Sequence, residues 1–75
     1  MKEQDATELA NALGWESIES KNPHMISFKK DDIRCNLYYT TGTVTMQSED
    51  YKRSSYKNVS IGQFEDVLCK PFHAN

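Results

Sequence analysis

The chain has 75 residues, of which 37% are hydrophobic and 27% are charged, and its formal net charge is −2. This mixture is typical of one small globular domain over residues 1–75, and it excludes a disordered segment and the basic composition of a dedicated duplex-DNA binder. No run of 18 apolar residues and no charged-then-apolar leader is present, so a cytoplasmic protein without a membrane partner is expected.

A first helix is predicted over residues 5–13. Apolar side chains recur there at the spacing that places them on one face of a helix: Ala6, Leu9, Ala10 and Leu13. Asp5 is expected to cap the first turn, and Gly14 lies where helices often end in a left-handed glycine. No helix or strand is assigned to residues 15–20.

Three strands follow, each indicated by alternating apolar and polar side chains. Asn22 and Pro23 mark a turn before the first strand, in which Ile26 and Phe28 form the apolar side. The other two strands are predicted to form a hairpin, with a three-residue loop ending at Gly42 in the left-handed region. The hairpin has an apolar face (Ile33, Cys35, Leu37, Tyr39, Val44 and Met46) and a polar face (Arg34, Asn36, Tyr38, Thr43, Thr45 and Gln47).

The segment 51–57 interleaves tyrosines with cationic residues: Tyr51, Lys52, Arg53, Tyr56 and Lys57. Two interpretations stay open, a loop or a loop with a short edge strand near residues 54–57. Lysines on an edge strand discourage pairing with other sheets, so these charges do not by themselves indicate binding.

A second helix is predicted to begin after Ser60. Ser60 and Gln63 have the spacing of a capping box, and Val59 and Phe64 have that of a hydrophobic staple. Pro71 is expected to end this helix. The predicted buried stripe consists of Ile61, Phe64, Val67 and Leu68.

These elements predict an α+β fold, an antiparallel sheet of three to four strands with both helices packed on one face (α-β-β-β-(β)-α). The opposite face of the sheet is then left to solvent. A core of this size is marginal, so good packing, a staple or a partner is needed.

The cysteines and histidines do not predict a cofactor or metal site. Cys35 and Cys69 are expected to be reduced thiols, with a disulfide between them as the alternative. Together with His24 and His73 they offer four potential zinc ligands, but the spacings of zinc motifs are absent.

The α-β-β-β-α order within about 70 residues resembles the layout of the double-stranded-RNA-binding domain. That family carries a basic signature at the start of its last helix. Here the last helix reads "SIGQFEDVL", with acids where that family has lysines.

The chain also resembles HicA-type toxins, small ribonucleases with the same layout. The matching residues are Gly14-Trp15 after the first helix and "NPHMISF", in which His24 takes the place of that family's histidine. This resemblance implies a ribonuclease in which His24 acts as general base on an RNA 2′-hydroxyl. Lys29, Lys30 and Arg34 are the candidate phosphate contacts, and His73 is the candidate acid. An ordinary histidine beside a turn is the competing interpretation.

The leading hypothesis is a small non-catalytic binding module, such as an accessory or inhibitor protein of a phage or mobile element. A protein partner is slightly favoured over RNA or DNA because of the acidic net charge, and a homodimer is a third hypothesis. The candidate binding residues are Arg34, Asn36, Tyr38, Thr43, Thr45, Tyr51, Lys52, Arg53, Tyr56 and Lys57. The competing interpretation is that tyrosine and threonine simply suit an exposed strand face.

Overall fold

The computed structural model describes residues 1–48 and 53–72. In these ranges the chain forms a helix, an antiparallel sheet with strand order β1-β2-β3-β4-β5, and a second helix. The predicted α+β fold is therefore confirmed, although the sheet has five strands instead of three or four. The elements are α1 (Glu3–Ala12), β1 (Glu16–Ile18), β2 (Met25–Lys30), β3 (Ile33–Tyr38), β4 (Thr43–Gln47), β5 (Ser54–Tyr56), α2 (Ile61–Cys69) and a 3₁₀ turn (Lys70–Phe72).

Helix α1 begins earlier than predicted. Its N-cap is Lys2, which makes no side-chain capping bond, and Asp5 lies inside the first turn. The cap predicted at Asp5 is therefore wrong, because Glu3 and Gln4 are good helix formers that extend the helix by a few residues. Acids in the first turn still interact favourably with the helix dipole.

The end of α1 directs the chain into the additional strand β1. Gly14 has a φ of +90°, its N–H donates to the Asn11 carbonyl, and the N–H of Trp15 donates to the Ala10 carbonyl at 2.9 Å. This is the Schellman arrangement that ends many helices. It reverses the chain within two residues, and β1 then pairs with β2, with Ser17 opposite Phe28.

The loop between β3 and β4 has four residues, 39–42, and not the three that were predicted. The N–H groups of Thr41 and Gly42 both donate to the Tyr38 carbonyl, at 3.2 and 2.8 Å. Gly42 has a φ of +75°, which confirms its predicted left-handed conformation. Strand β3 ends at Tyr38, which pairs with Thr43. Tyr39 therefore belongs to the loop, and the loop is one residue longer than predicted.

Helix α2 has the predicted capping box. The Gln63 N–H donates to Ser60 Oγ at 3.3 Å, and the Ser60 N–H donates to Gln63 Oε1 at 2.9 Å. The predicted burial of Ile61 is wrong, since this side chain is 40% exposed. Helical side chains lean towards the N-terminus, so one in the first turn points past the start of the helix. The buried stripe therefore begins at Phe64.

Both helices cover the same face of the sheet. The sheet contributes buried Phe28, and Leu37 and Val44 are completely buried. Across from them lie Ala6 and Ala10 of α1, whose small side chains bring that helix close to the sheet, and Phe64, Val67 and Leu68 of α2. This confirms that the opposite face of the sheet is free of helices, as predicted.

Both cysteines are free thiols, as predicted. Cys35 lies in the core, where burial raises the pKa of its thiol from 9.0 to about 12. Cys69 is half-buried near the end of α2. Neither helix is long and apolar enough to cross a membrane.

Candidate functional site

The face of the sheet turned away from the helices is the candidate site, and we call it the open face. Its side chains alternate with the core residues Phe28, Cys35 and Val44 along β2, β3 and β4. The strand registers align them in three rows that run across the strands. Rows that are two residues apart on one face are separated by about 7 Å, and neighbouring strands by about 4.8 Å.

The polar row crosses all five strands through the middle of the open face. Its members face one another in order: Ile18, Ser27, Asn36, Thr45 and Ser55. Ser27 Oγ donates to Asn36 Oδ1 at 2.8 Å. Ser27 is 2% exposed although no helix covers it. The polar row therefore has a fixed hydrogen-bonded centre.

The charged row lies at one end of the open face and consists of Glu16, Lys29, Arg34 and Gln47. Lys29 and Arg34 are exposed and stand directly opposite each other on β2 and β3. Directly opposed residues have Cβ atoms about 5 Å apart, and side chains of like charge that stand directly opposite each other destabilise a sheet. Glu16 stands on the other side of Lys29, on β1. The row keeps two adjacent cationic groups in a fixed register.

The third row, which we call the methionine–tyrosine row, lies at the opposite end of the open face. Met25, Tyr38 and Thr43 are aligned there across β2, β3 and β4, and all three are half-buried. Thr43 Oγ1 accepts a hydrogen bond from Thr41 Oγ1 at 3.1 Å, which ties this row to the loop. The row supplies a mixed apolar and hydrogen-bonding surface.

The structure brings together five of the predicted binding residues on the open face: Arg34, Asn36, Tyr38, Thr43 and Thr45. Arg53 and Lys57 are exposed and flank β5 directly. The predicted contacts Tyr51 and Lys52 lie outside the described residues.

Tyr56 is separated from this group. It is half-buried against the core on the helix side of the sheet, opposite Val44. The ammonium of Lys70 lies 4.7 Å from the centroid of its ring. A cation over an aromatic face stabilises both side chains, so this contact gives Tyr56 a structural role in the packing of α2.

Several residues of the open face were not among the predicted contacts. Glu16 and Ile18 belong to β1, which was not predicted, and Met25 and Ser27 belong to β2. Lys29, also of β2, was predicted only as a phosphate contact of the ribonuclease hypothesis. The alternation of β2 already placed Ser27 and Lys29 on the polar side. What sequence could not show was which residues of β1 and β3 stand beside them.

His24 lies at the wrong end of β2 for the predicted phosphate contacts. It is exposed in the turn before β2, where its N–H donates to Asn22 Oδ1 at 2.8 Å. Lys29 is five residues further along the extended chain, about 16 Å away, and Arg34 lies opposite Lys29. Lys30 points to the helix side, where its Nζ donates to the Leu13 carbonyl at 2.7 Å. The structure does not bring these cations to His24, and His73 lies outside the described residues.

Charge is distributed unevenly between the two sides of the molecule. Helix α1 carries Glu3, Asp5 and Glu8, and α2 carries Glu65 and Asp66, while neither helix contains a lysine or arginine. The open face instead carries the Lys29–Arg34 pair with Glu16 as its acid. The net charge of −2 therefore conceals a cationic patch on an acidic domain.

Within residues 1–48 and 53–72, no group of three or more His, Cys, Asp or Glu side chains could hold a metal ion. Comparisons with protein-family models, with curated proteins and with solved structures find no match to this chain. The resemblances to double-stranded-RNA-binding domains and to HicA-type toxins remain predictions. Function is therefore argued from the geometry of the open face, since a fold alone does not determine function.

Proposed function

We propose that this chain is a non-catalytic binding module whose open face binds an acidic segment of a partner protein. The observation that carries the proposal is the pairing of Lys29 with Arg34. Two like charges in direct opposition lower the stability of the sheet. An anionic partner reverses this effect, because a carboxylate placed between them gains charge-assisted hydrogen bonds from both.

The three rows define the chemistry of the bound segment. The charged row favours aspartate or glutamate, and the methionine–tyrosine row favours an apolar side chain about 13 Å away, two row spacings along the strands. Between them, Asn36 and Thr45 offer hydrogen-bonding groups to a backbone. A segment with acids at one end and an apolar residue four positions further along an extended chain matches this layout.

A protein partner is favoured over nucleic acid for two reasons. Binders of single strands stack successive bases on several aromatic side chains, whereas Tyr38 is the only aromatic residue of the three rows. In addition, the acids on both helices repel a long polyanion, which is attracted mainly by broad basic surfaces. A short acidic peptide meets only the local cationic patch.

The test uses peptide selection on defined proteins. A displayed library of random peptides is selected on the immobilised wild-type protein alone. We expect enriched sequences with adjacent acids and one apolar residue, and affinity about tenfold lower for Arg34→Glu, equivalent to about 1.4 kcal/mol. Binding is measured by fluorescence anisotropy of the labelled peptides.

The matched control is Lys2→Glu, which makes the same charge change at the exposed start of α1. It should bind the selected peptides as the wild type does. An equal loss in Lys2→Glu, or enrichment of peptides without acids, would contradict a site at the charged row. Equally tight binding of a short oligouridylate, competing with the peptide, would refute the choice of a protein partner.

The ribonuclease hypothesis is tested separately by comparing RNA degradation by the wild type and His24→Ala. The separation of His24 from Lys29 and Arg34 leads us to expect equal activity in both, at the background level of the preparation. Activity that disappears with His24→Ala would favour the enzyme instead.

A further inference from the structure

A cavity of about 180 Å³ lies on the helix side of the sheet, away from the open face. It is lined by Leu13, Trp15, Lys30, Leu68, Cys69 and Phe72. These residues come from the segment between α1 and β1, the last position of β2, the end of α2 and the 3₁₀ turn. Most of its wall is apolar, with a few polar groups, which is the usual constitution of a small-molecule site.

Trp15 contributes an unused hydrogen-bond donor to this region. Its side chain is 2% exposed, and its buried Nε1 has no partner among the described residues. A buried indole N–H usually has an acceptor. The backbone of Trp15 is held at both ends, since its N–H donates to the Ala10 carbonyl and its carbonyl accepts from Asn11 Nδ2 at 2.9 Å.

Lys30 brings a positive charge to the same cavity. Its ammonium donates to the Leu13 carbonyl at 2.7 Å and lies 4.6 Å from the centroid of the Phe72 ring. An ammonium has three N–H donors, and Leu13 accounts for one. The Phe72 ring also meets Trp15 edge to face, with centroids 5.9 Å apart, although Phe72 is 38% exposed.

We infer that this cavity binds a small aromatic carboxylate. Leu68 and the rings of Trp15 and Phe72 would contact the aromatic ring, while the carboxylate accepts hydrogen bonds from Trp15 Nε1 and from the Lys30 ammonium. The size is suitable, because an apolar protein cavity of about 150 Å³ is known to hold benzene. The site shares no lining residue with the open face and does not depend on the proposed function.

The two hydrogen-bond donors of the cavity indicate the charge of the ligand. Both polar groups, the indole and the ammonium, donate hydrogen bonds, so a neutral hydrocarbon leaves them unpaired and a cation is repelled by Lys30. An aromatic carboxylate complements both the apolar wall and the donors. Cys69 is a half-buried thiol in the same wall and serves as a reporter of occupancy.

The primary experiment is a titration of the full chain with benzoate, followed by NMR. Trp15 is the only tryptophan, so its indole N–H gives one assignable resonance. We expect benzoate to shift this resonance with a dissociation constant on the order of 1 mM. Benzylamine, a cation of nearly the same size, should leave it unchanged. No shift with benzoate, or equal shifts with both compounds, would overturn the assignment.

A second measurement reports on the cavity wall. Alkylation of Cys69 by iodoacetamide should slow as benzoate fills the site, whereas Cys35 is completely buried and does not contribute. Unchanged alkylation at a benzoate concentration that saturates the indole shift would place the bound ligand elsewhere and overturn the inference.

The variant Trp15→Phe tests the donor while keeping a ring in the core. We expect benzoate to bind it about tenfold more weakly, the effect of losing one hydrogen bond to a charged group. A dispersed NMR spectrum and a Cys35 that stays unalkylated, as its complete burial requires, show that the variant folds. If benzoate slows the alkylation of Cys69 in this variant as much as in the wild type, the indole N–H does not bind the carboxylate and its proposed role is refuted.

Discussion

Replacing Gly42 with alanine adds one methyl group at the end of the loop between β3 and β4. A Cβ built there lies 2.9 Å from the backbone nitrogen of Val59 and 3.0 Å from its carbonyl oxygen. These atoms belong to the segment that enters α2, so they cannot move aside as a flexible side chain would. The carbonyl of Gly42 also accepts the Val59 N–H at 3.0 Å.

The expected loss of stability is about 2 kcal/mol. The left-handed backbone, with a φ of +75°, costs a residue with a Cβ about 1–2 kcal/mol. Separating the two segments weakens the hydrogen bond from Val59, which contributes about 1 kcal/mol. Alanine restricts the unfolded chain and returns about 0.4–1 kcal/mol. For a chain of this size, 2 kcal/mol corresponds to a Tm lower by about 8–16 °C.

Urea unfolding followed by circular dichroism measures this loss, and Gly62→Ala is the matched control. Gly62 lies in the first turn of α2 and has nothing within 4 Å of a built Cβ. Because alanine is the better helix former, Gly62→Ala should be more stable by about 0.5–1 kcal/mol. A Gly42→Ala variant as stable as the wild type would refute the close approach of the loop to Val59.

Three further predictions concern other parts of the fold. Arg34→Glu should raise the free energy of unfolding by up to about 1 kcal/mol, because it turns the like-charged pair with Lys29 into a pair of opposite charges. A lower free energy of unfolding, measured with urea, would contradict repulsion between Lys29 and Arg34. Ser60→Ala should lower that free energy by about 1 kcal/mol through loss of the cap, and an unchanged urea midpoint would show that the capping box does not stabilise α2. Burial raises the pKa of Cys35 from 9.0 to about 12, so its contribution to stability is complete below pH 9 and declines as the pH rises towards 12. The Cys35→Ala variant should therefore lose less stability than the wild type between pH 9 and pH 12. If both proteins lose stability equally over this range, ionisation of the buried Cys35 thiol is not a cause of the loss.

Alternation along the strands was sufficient to predict which side of the sheet is buried. Leu37 and Val44 lie in the core, as the period of two requires, and Tyr38 and Thr45 lie on the other side. Local signals also predicted the capping box at Ser60, because those hydrogen bonds join neighbouring residues. Strand β1 could not be predicted in this way, since three residues are too few to show a period.

The charged row depends on register, which alternation does not determine. The turn between β2 and β3 consists of Asp31 and Asp32, with Asp31 at a φ of +55°. This two-residue turn places Lys30 opposite Ile33, and consequently Lys29 opposite Arg34. A turn with one more residue would shift the register and separate the two cations. The position of the two cations therefore depends on the length of this turn. The sequence "KDD" indicates a turn but not the number of residues in it.

Strand β2 links the two proposed sites while keeping them chemically separate. Lys29 and Lys30 are adjacent in sequence but point to opposite sides of the sheet, Lys29 to the open face and Lys30 to the cavity on the helix side. Each lysine therefore faces a different environment, one exposed beside Arg34 and the other against the Leu13 carbonyl and the Phe72 ring. Their ligands would also differ in kind, an acidic peptide on one side and a single aromatic ring on the other.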